Sequence, residues 1–89
     1  MRRYYFDCEV EGKPAEDEEG LQLSSLDAVE KEAMHSAMAI ACDEFPPHGG
    51  NGLVVVRVRD DQGSLVLTAR SLMTTTMEWN ISAKDGSSQ

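Results

Sequence analysis

The residues with the strongest potential for chemistry are the consecutive acids at positions 16–19, in the stretch EDEEG. Carboxylate oxygens are the ligands that calcium and magnesium prefer in proteins. A calcium-binding loop, however, spaces its acids at alternate positions around a glycine and closes with a more distant glutamate, and this stretch does not follow that spacing. The sequence therefore predicts a solvated acidic loop, with a hard-cation site as the alternative.

A second set of metal ligands lies further along the chain. His35 and Cys42 are spaced so that they share one face of a predicted helix, and His48 follows in a glycine-rich linker. Two ligands do not make a zinc site, which normally needs a fuller tetrahedral set. We therefore predict no metal and no cofactor. A small-ligand or metal-binding protein that uses the acidic loop or His35 and Cys42 is the alternative function.

Catalysis has little support in the residues. Cysteine, histidine and aspartate are all present, but no motif fixes a nucleophile, a base and an oxyanion hole together. Gly49 and Gly50 lack the strand-to-helix setting and the lysine of a phosphate-binding loop. The sequence predicts no catalytic residue and favours a protein without enzymatic activity.

Charge and composition exclude several classes of protein. Sixteen acids against eight bases give the 89-residue chain a net charge of −8, which repels nucleic acids and anionic membranes. No signal peptide follows Arg2 and Arg3, and no apolar run approaches the roughly 20 residues that span a bilayer. Two distant cysteines do not form a disulfide framework, so we predict a reduced, cytoplasmic location.

The first elements are a strand and a short return strand. Alternation from Tyr4 to Val10 is typical of a half-buried strand, with Tyr4, Phe6, Cys8 and Val10 on the core face. Tyr5 lies on the opposite face. Gly12 and Pro14 predict a turn, and the leucines of GLQL predict a short strand that returns after the acidic loop.

A helix is predicted next, capped by Ser24 or Ser25. Its apolar residues recur with helical spacing and form one stripe, while His35 and Cys42 occupy the opposite face. The prolines and glycines of PPHGGNG end the helix. The predicted stripe consists of Leu26, Val29, Ala33, Ala37 and Ile40, and it is widened on one side by Met34, Met38, Ala41 and Phe45.

The stretches LVVVRVR and SLVLTAR flank the turn DDQG and predict a second hairpin. A four-residue loop that ends at Gly63, a residue suited to the left-handed conformation, pairs Arg59 with Ser64. The apolar face then opposes Val58 to Leu65, Val56 to Leu67 and Val54 to Ala69. The other face carries a basic stripe, Arg57, Arg59 and Arg70, that can pair with acids of the same chain or of a partner.

The predicted order is ββαββ, an α+β fold with one helix packed on an antiparallel sheet formed by two hairpins. We expect a single domain over residues 1–81 and a polar, disordered tail over 82–89. The expected core consists of Tyr4, Phe6, Leu26, Val29, Ala33, Ala37, Ile40, Val54, Val56, Val58, Leu65 and Leu67.

Three stretches carry a resemblance to a known family: RRYYFD in the first strand, DEEGLQL before the helix, and VVVRVRDDQGSLVL in the second hairpin. Together they resemble an uncharacterised family of short bacterial proteins, mainly alphaproteobacterial and common in rhizobia, known only as a domain of unknown function. The resemblance extends from Arg3 to about Arg70. It supports the fold and implies no activity, cofactor or catalytic residue.

The remaining functional candidates are surfaces. Exposed aromatic and large apolar side chains are enriched where proteins bind one another. After Arg70 the odd positions stay apolar, with too little chain left to cover them. We predict a non-catalytic protein-interaction or regulatory module, and a homodimer that uses Leu72–Ile81. The predicted interaction residues are Tyr5, Met73, Met77, Trp79 and Ile81.

Overall fold

The computed structural model describes residues 1–44 and 50–82. One helix packs on an antiparallel sheet, so the predicted α+β fold is confirmed. Phe45, His48 and all but the first residue of the predicted tail lie outside the described residues. The elements are β1 (Arg2–Val10), β2 (Lys13–Ala15), β3 (Leu21–Leu23), α1 (Leu26–Glu44), β4 (Gly50–Arg59) and β5 (Leu65–Thr75).

The sheet is organised around β1, which has neighbours on both sides. β4 pairs with one edge of β1, and β5 follows on the far side of β4. The opposite edge of β1 pairs with two short strands in turn, β2 along its C-terminal half and β3 along its N-terminal end. The single return strand predicted from the sequence is therefore two strands, separated by the acidic loop.

The hairpin of β4 and β5 has a different register from the predicted one. Val58 lies opposite Leu67, two residues further along β5 than expected. One residue of the shift arises in the loop, because the Asp60 carboxylate accepts the N–H of Ser64 at 2.9 Å and makes Asp60 and Ser64 the closing pair. The other arises from a β-bulge next to Val58. The predicted left-handed glycine, Gly63, has φ +83°.

The bulge also explains one error in the predicted core. Leu65 lies opposite Arg59 and so shares the outer face of the sheet, where it is 63% exposed. Val66 and Leu67 line the helix side instead. Because the two shifts add to two residues, the valines of β4 still oppose the helix-facing residues of β5, and the apolar face survives.

Helix α1 begins as predicted, with Ser25 as its cap. The Ser25 hydroxyl oxygen accepts the N–H of Ala28 at 3.1 Å. The buried stripe is narrower than the predicted one: it consists of residues four apart, whose small side chains let the helix approach the sheet. Leu26, the first residue of α1, is exposed rather than buried. The buried residues of the helix are Val29, Ala33, Ala37 and Ala41.

The core lies between α1 and the middle of the sheet. Tyr4 is its one buried aromatic side chain among the described residues, and it packs with the helix alanines and the β4 valines. Phe6, Ile40 and Leu67 are only half-buried at its margin. No helix in residues 1–44 and 50–82 is long and apolar enough to cross a membrane. The buried strand residues of the core are Tyr4, Val54, Val56 and Val58.

Candidate functional site

The acidic loop is anchored to the sheet by the carboxylate of Asp17. One oxygen accepts the N–H of Phe6 at 3.1 Å, and the other accepts the N–H groups of Glu19 and Gly20, both at 3.1 Å. Phe6 lies between the segments of β1 that pair with β3 and with β2. The Asp17 side chain therefore replaces the missing strand partner at this position.

Asp7 and Arg59 complete this arrangement on the outer face of the sheet, which α1 does not cover. An Asp7 oxygen accepts the N–H of Asp17 at 2.9 Å, and Arg59 Nε donates to the other Asp7 oxygen at 2.7 Å. Arg59 also donates to the Asp17 carbonyl oxygen at 3.1 Å and lies 4.7 Å from the centre of the Tyr5 ring. We call Tyr5, Asp7, Asp17 and Arg59 the Asp–Arg cluster.

The electrostatics of the Asp–Arg cluster favour charged carboxylates. Burial raises the pKa of Asp7, but the hydrogen bonds from Arg59 and from the Asp17 N–H outweigh it and bring the pKa below its ordinary value. Burial likewise raises the pKa of Asp17, and the three backbone N–H donors and Arg59 bring it below its ordinary value. Hydrogen bonding to Asp7 raises the pKa of Arg59. All three groups are ionised at neutral pH.

Most of the predicted basic stripe pairs with acids of the same chain. Arg57 contacts Glu9 at 3.0 Å, and Arg59 contacts Asp7. Arg70, at the open side of the sheet, has no ion pair among the residues that the structure describes. The first of the two uses predicted for the stripe, pairing with acids of the same chain, therefore applies to Arg57 and Arg59.

The contacts of the Asp–Arg cluster indicate a positioning role. Its carboxylate oxygens already accept hydrogen bonds from the backbone or from Arg59. Within residues 1–44 and 50–82, no three His, Cys, Asp or Glu side chains are placed to hold a metal ion. His35 and Cys42 lie exposed on α1. Burial, followed by the charges of Asp17 and Asp7, raises the pKa of the half-buried Cys8 thiol, which disfavours its nucleophilic form.

In the sequence Asp17 looks like one of four equivalent acids, and its role in the site was not predicted. The local signal was the spacing of Asp17 and Gly20, because an aspartate that accepts N–H groups two and three residues ahead forms a turn of its own. The pairing of Asp7 with Arg59 had no such signal, since it requires β1 to lie beside β4.

The predicted interaction residues do not form one surface. Tyr5 lies on the outer face, where Arg59 covers its ring. Met73, in β5, is half-buried against the core. Met77, Trp79 and Ile81 follow the end of β5 and are exposed by 58%, 66% and 76%. The structure thus separates a C-terminal apolar segment, Met77–Ile81, from the other two residues.

A groove between α1 and β5 was not predicted from the sequence. It has a volume of about 420 Å³, and Met34 and Met38 form its helix wall, each exposed by about half. Ala69 forms part of its strand wall. A second depression of about 210 Å³ continues it along the same seam, past Val66. We call this whole seam the α1–β5 groove.

Comparison with known families places these features in context. The model of a family described as a domain of unknown function, DUF6894, matches residues 3–73. The chain belongs to this family. The matched span contains the Asp–Arg cluster, the α1–β5 groove and all of β5 except its last two residues. Met77, Trp79 and Ile81 lie beyond it. No curated protein and no solved structure matches the chain significantly.

Replacement of Asp17 by alanine tests the Asp–Arg cluster. We expect Asp17→Ala to lower the free energy of unfolding by about 1–3 kcal/mol at pH 7, because three backbone donors lose a charged acceptor. Since the pKa of Asp17 is lowered by folding, this stabilisation is complete above the ordinary value of 3.8 and is lost as the pH falls through the folded pKa. The difference between the two proteins should therefore shrink in acid.

Urea denaturation at several pH values measures this effect, and the exposed neighbour Glu18 supplies the control. Glu18→Ala should change the unfolding free energy by about 0.5 kcal/mol or less. Equal losses from the two substitutions would show that Asp17 is only one solvated acid among four.

Proposed function

We propose that the chain is a non-catalytic, cytosolic protein-interaction module that binds its partner through the α1–β5 groove and the adjacent edge of β5. The observation that carries this proposal is the position of an apolar groove beside a strand edge that no other described strand occupies. The free thiols of Cys8 and Cys42 support a reducing location.

The two edges of the sheet differ in a way that supports the proposal. On the β1 side, the short strands β2 and β3 and the Asp17 carboxylate complete the pairing. β5, by contrast, is 11 residues long, and within residues 1–44 and 50–82 its outer edge pairs with no strand. A long open edge is a template for an added strand unless something covers or blunts it.

The groove gives that edge an apolar lining. Met34 and Met38 are exposed by 52% and 53%, although they flank the buried stripe of α1. Val66 and Leu26 extend the apolar surface along the seam. Methionine is a flexible, polarizable side chain that adapts to different partners. A strand added to β5 would place alternate side chains against this lining.

Site-specific photo-cross-linking inside the source cells tests the proposal. A photoreactive phenylalanine analogue at Met34 or Met38 should capture a protein, and mass spectrometry should identify it. The matched controls are His35 and Ala39, which are exposed one residue further along the same helix. Cross-links confined to positions 34 and 38 support the groove as the binding surface, whatever the captured protein is.

The outcome against the proposal is equally specific. If all four positions give the same cross-linking yield, or if positions 34 and 38 give none, the groove is not a binding surface. All four side chains are exposed, so replacement should leave the helix intact. Circular dichroism of each variant checks this before cross-linking.

A further inference from the structure

We propose that the α1–β5 groove binds the segment Met77–Ile81 of a second copy of the chain, which gives a twofold-symmetric homodimer with antiparallel β5 strands. This inference rests on the proposed function and names the partner of the same groove. In the single chain, β5 ends at Thr75, residues 76–80 have no regular secondary structure, and a helical turn begins at Ile81. In the dimer, residues 76–81 become extended, continue β5 and lie along the open β5 edge of the other copy.

The first argument is the alternation of side chains along β5. Leu67, Ala69 and Ser71 lie opposite the buried valines Val58, Val56 and Val54, so beyond the bulge, from Leu67 onward, the odd positions of β5 face α1. Successive side chains of a strand point to opposite faces. A straight continuation of β5 therefore directs the exposed apolar side chains at positions 77, 79 and 81 to the face that carries the groove.

The second argument is charge. Arg70 is an even-numbered residue of β5, opposite Val55, and it also lines the edge of the α1–β5 groove. Glu78 lies beyond the end of β5 and takes an even position when the strand is extended. Neither has an ion pair among the described residues. An antiparallel pair of β5 strands centred on Thr74 sets Arg70 directly opposite the partner's Glu78. Twofold symmetry forms this ion pair twice, and opposite charges that face each other across strands are favourable.

The same register fits the shape of the groove. It sets Trp79 opposite the partner's Ala69, whose small side chain lines the groove of about 420 Å³. Ile81 then lies opposite the partner's Leu67, where the two parts of the groove meet. A large side chain thus faces a small one in the larger of the two parts of the groove. Like charges do not face each other, because Arg70 is not opposite its own copy.

These two arguments select a second copy over an unrelated partner. The chain carries both the groove and a segment with the matching apolar period, and it carries both members of the ion pair. In a twofold-symmetric interface the same surface is used on both subunits, so every contact is made twice. This symmetry is the commonest among homodimers. The net charge of −8 opposes indiscriminate stacking of further copies.

Charge reversal at the two proposed ion-pair positions tests the dimer. Sedimentation equilibrium of the wild-type chain at micromolar concentration should give the dimer mass. Arg70→Glu and Glu78→Arg should each weaken the dimer by about tenfold or more, because like charges then face each other twice. An equimolar mixture of the two variants should restore it, since both cross-strand pairs are again of opposite charge in the heterodimer.

A disulfide at the proposed symmetry axis tests the register independently. Directly opposed residues of antiparallel strands are about 4.5–5.5 Å apart between Cα atoms, which a disulfide can span. In a chain with Cys8→Ala and Cys42→Ser, Thr74→Cys should form a covalent dimer on mild oxidation, whereas Thr68→Cys, away from the axis, should not. This assay decides the matter if a charge-reversal variant fails to fold.

Three results would overturn the inference: a monomer mass at all micromolar concentrations, a dimer that neither charge reversal weakens, or equal disulfide yields from Thr74→Cys and Thr68→Cys. A monomeric chain that still gives cross-links to a different protein from Met34 and Met38 would overturn the homodimer and leave the proposed function standing. A dimer with no cross-links from those positions would overturn both proposals.

Discussion

Replacing Tyr4 with alanine should remove about 3–5 kcal/mol from the free energy of unfolding. Tyr4 is 5% exposed and packs with Ala33, Ala37 and the β4 valines. The remaining buried side chains are small, so no neighbour can fill the space that the ring leaves. A domain of this size has a total stability of roughly 5–9 kcal/mol, so the variant should be close to unfolding at room temperature.

Urea denaturation followed by circular dichroism measures this loss, and Tyr5 is the matched control. It is the next residue along β1, but it lies on the outer face under Arg59, and Tyr5→Ala should therefore cause a much smaller loss. Similar losses from the two variants would show that the core is not organised around the Tyr4 ring.

The second large effect is expected at Gly20, where Gly20→Ala should lower the free energy of unfolding by about 2–4 kcal/mol. Its φ is +72°, in the left-handed region that disfavours any residue with a β-carbon. An added β-carbon would also lie 2.9 Å from the Tyr4 carbonyl oxygen and 2.9 Å from Tyr5 Cε2. The first of these atoms belongs to the backbone of β1, so it cannot move away without disturbing the sheet.

Gly12 separates the two causes because it has a similar φ, +81°, but no atom lies within 4 Å of the position that a β-carbon would take. Gly12→Ala should cost only about 1 kcal/mol, the share due to backbone conformation. Thermal denaturation of both variants gives the comparison. A loss at Gly20 no greater than at Gly12 would mean that the acidic loop can move away from β1.

The sequence predicted the faces of the elements better than their pairing. Alternation along β1 correctly buries Tyr4 and places Tyr5 outside, because a two-residue period depends only on neighbouring residues. The β4–β5 register was wrong by two residues because such a shift leaves the same faces in contact, and the hydrophobic pattern cannot distinguish the two. The Asp60 side chain, which closes the loop, produces one residue of the shift, and the bulge next to Val58 produces the other.

The candidate site was predictable only in part, for a different physical reason. Acidic residues in a loop look alike in the sequence, and Asp17 differs from its neighbours through contacts with Phe6 and Arg59 that the fold creates. Likewise, the α1–β5 groove is lined by Val66, which follows Leu65 at the bulge, and by Met34 and Met38, which lie just outside the buried stripe. Neither feature follows from periodicity alone.

The central position of β1 affects how the chain folds during synthesis. One edge of β1 can pair as soon as β2 and β3 have been synthesised. The other edge pairs with β4, and Val58, the partner of Phe6, follows about 50 residues later in the chain. At about 5–20 residues per second, the ribosome needs several seconds to supply that partner. Meanwhile the nascent chain carries an open strand edge and an uncovered apolar face, which are the features that chaperones bind.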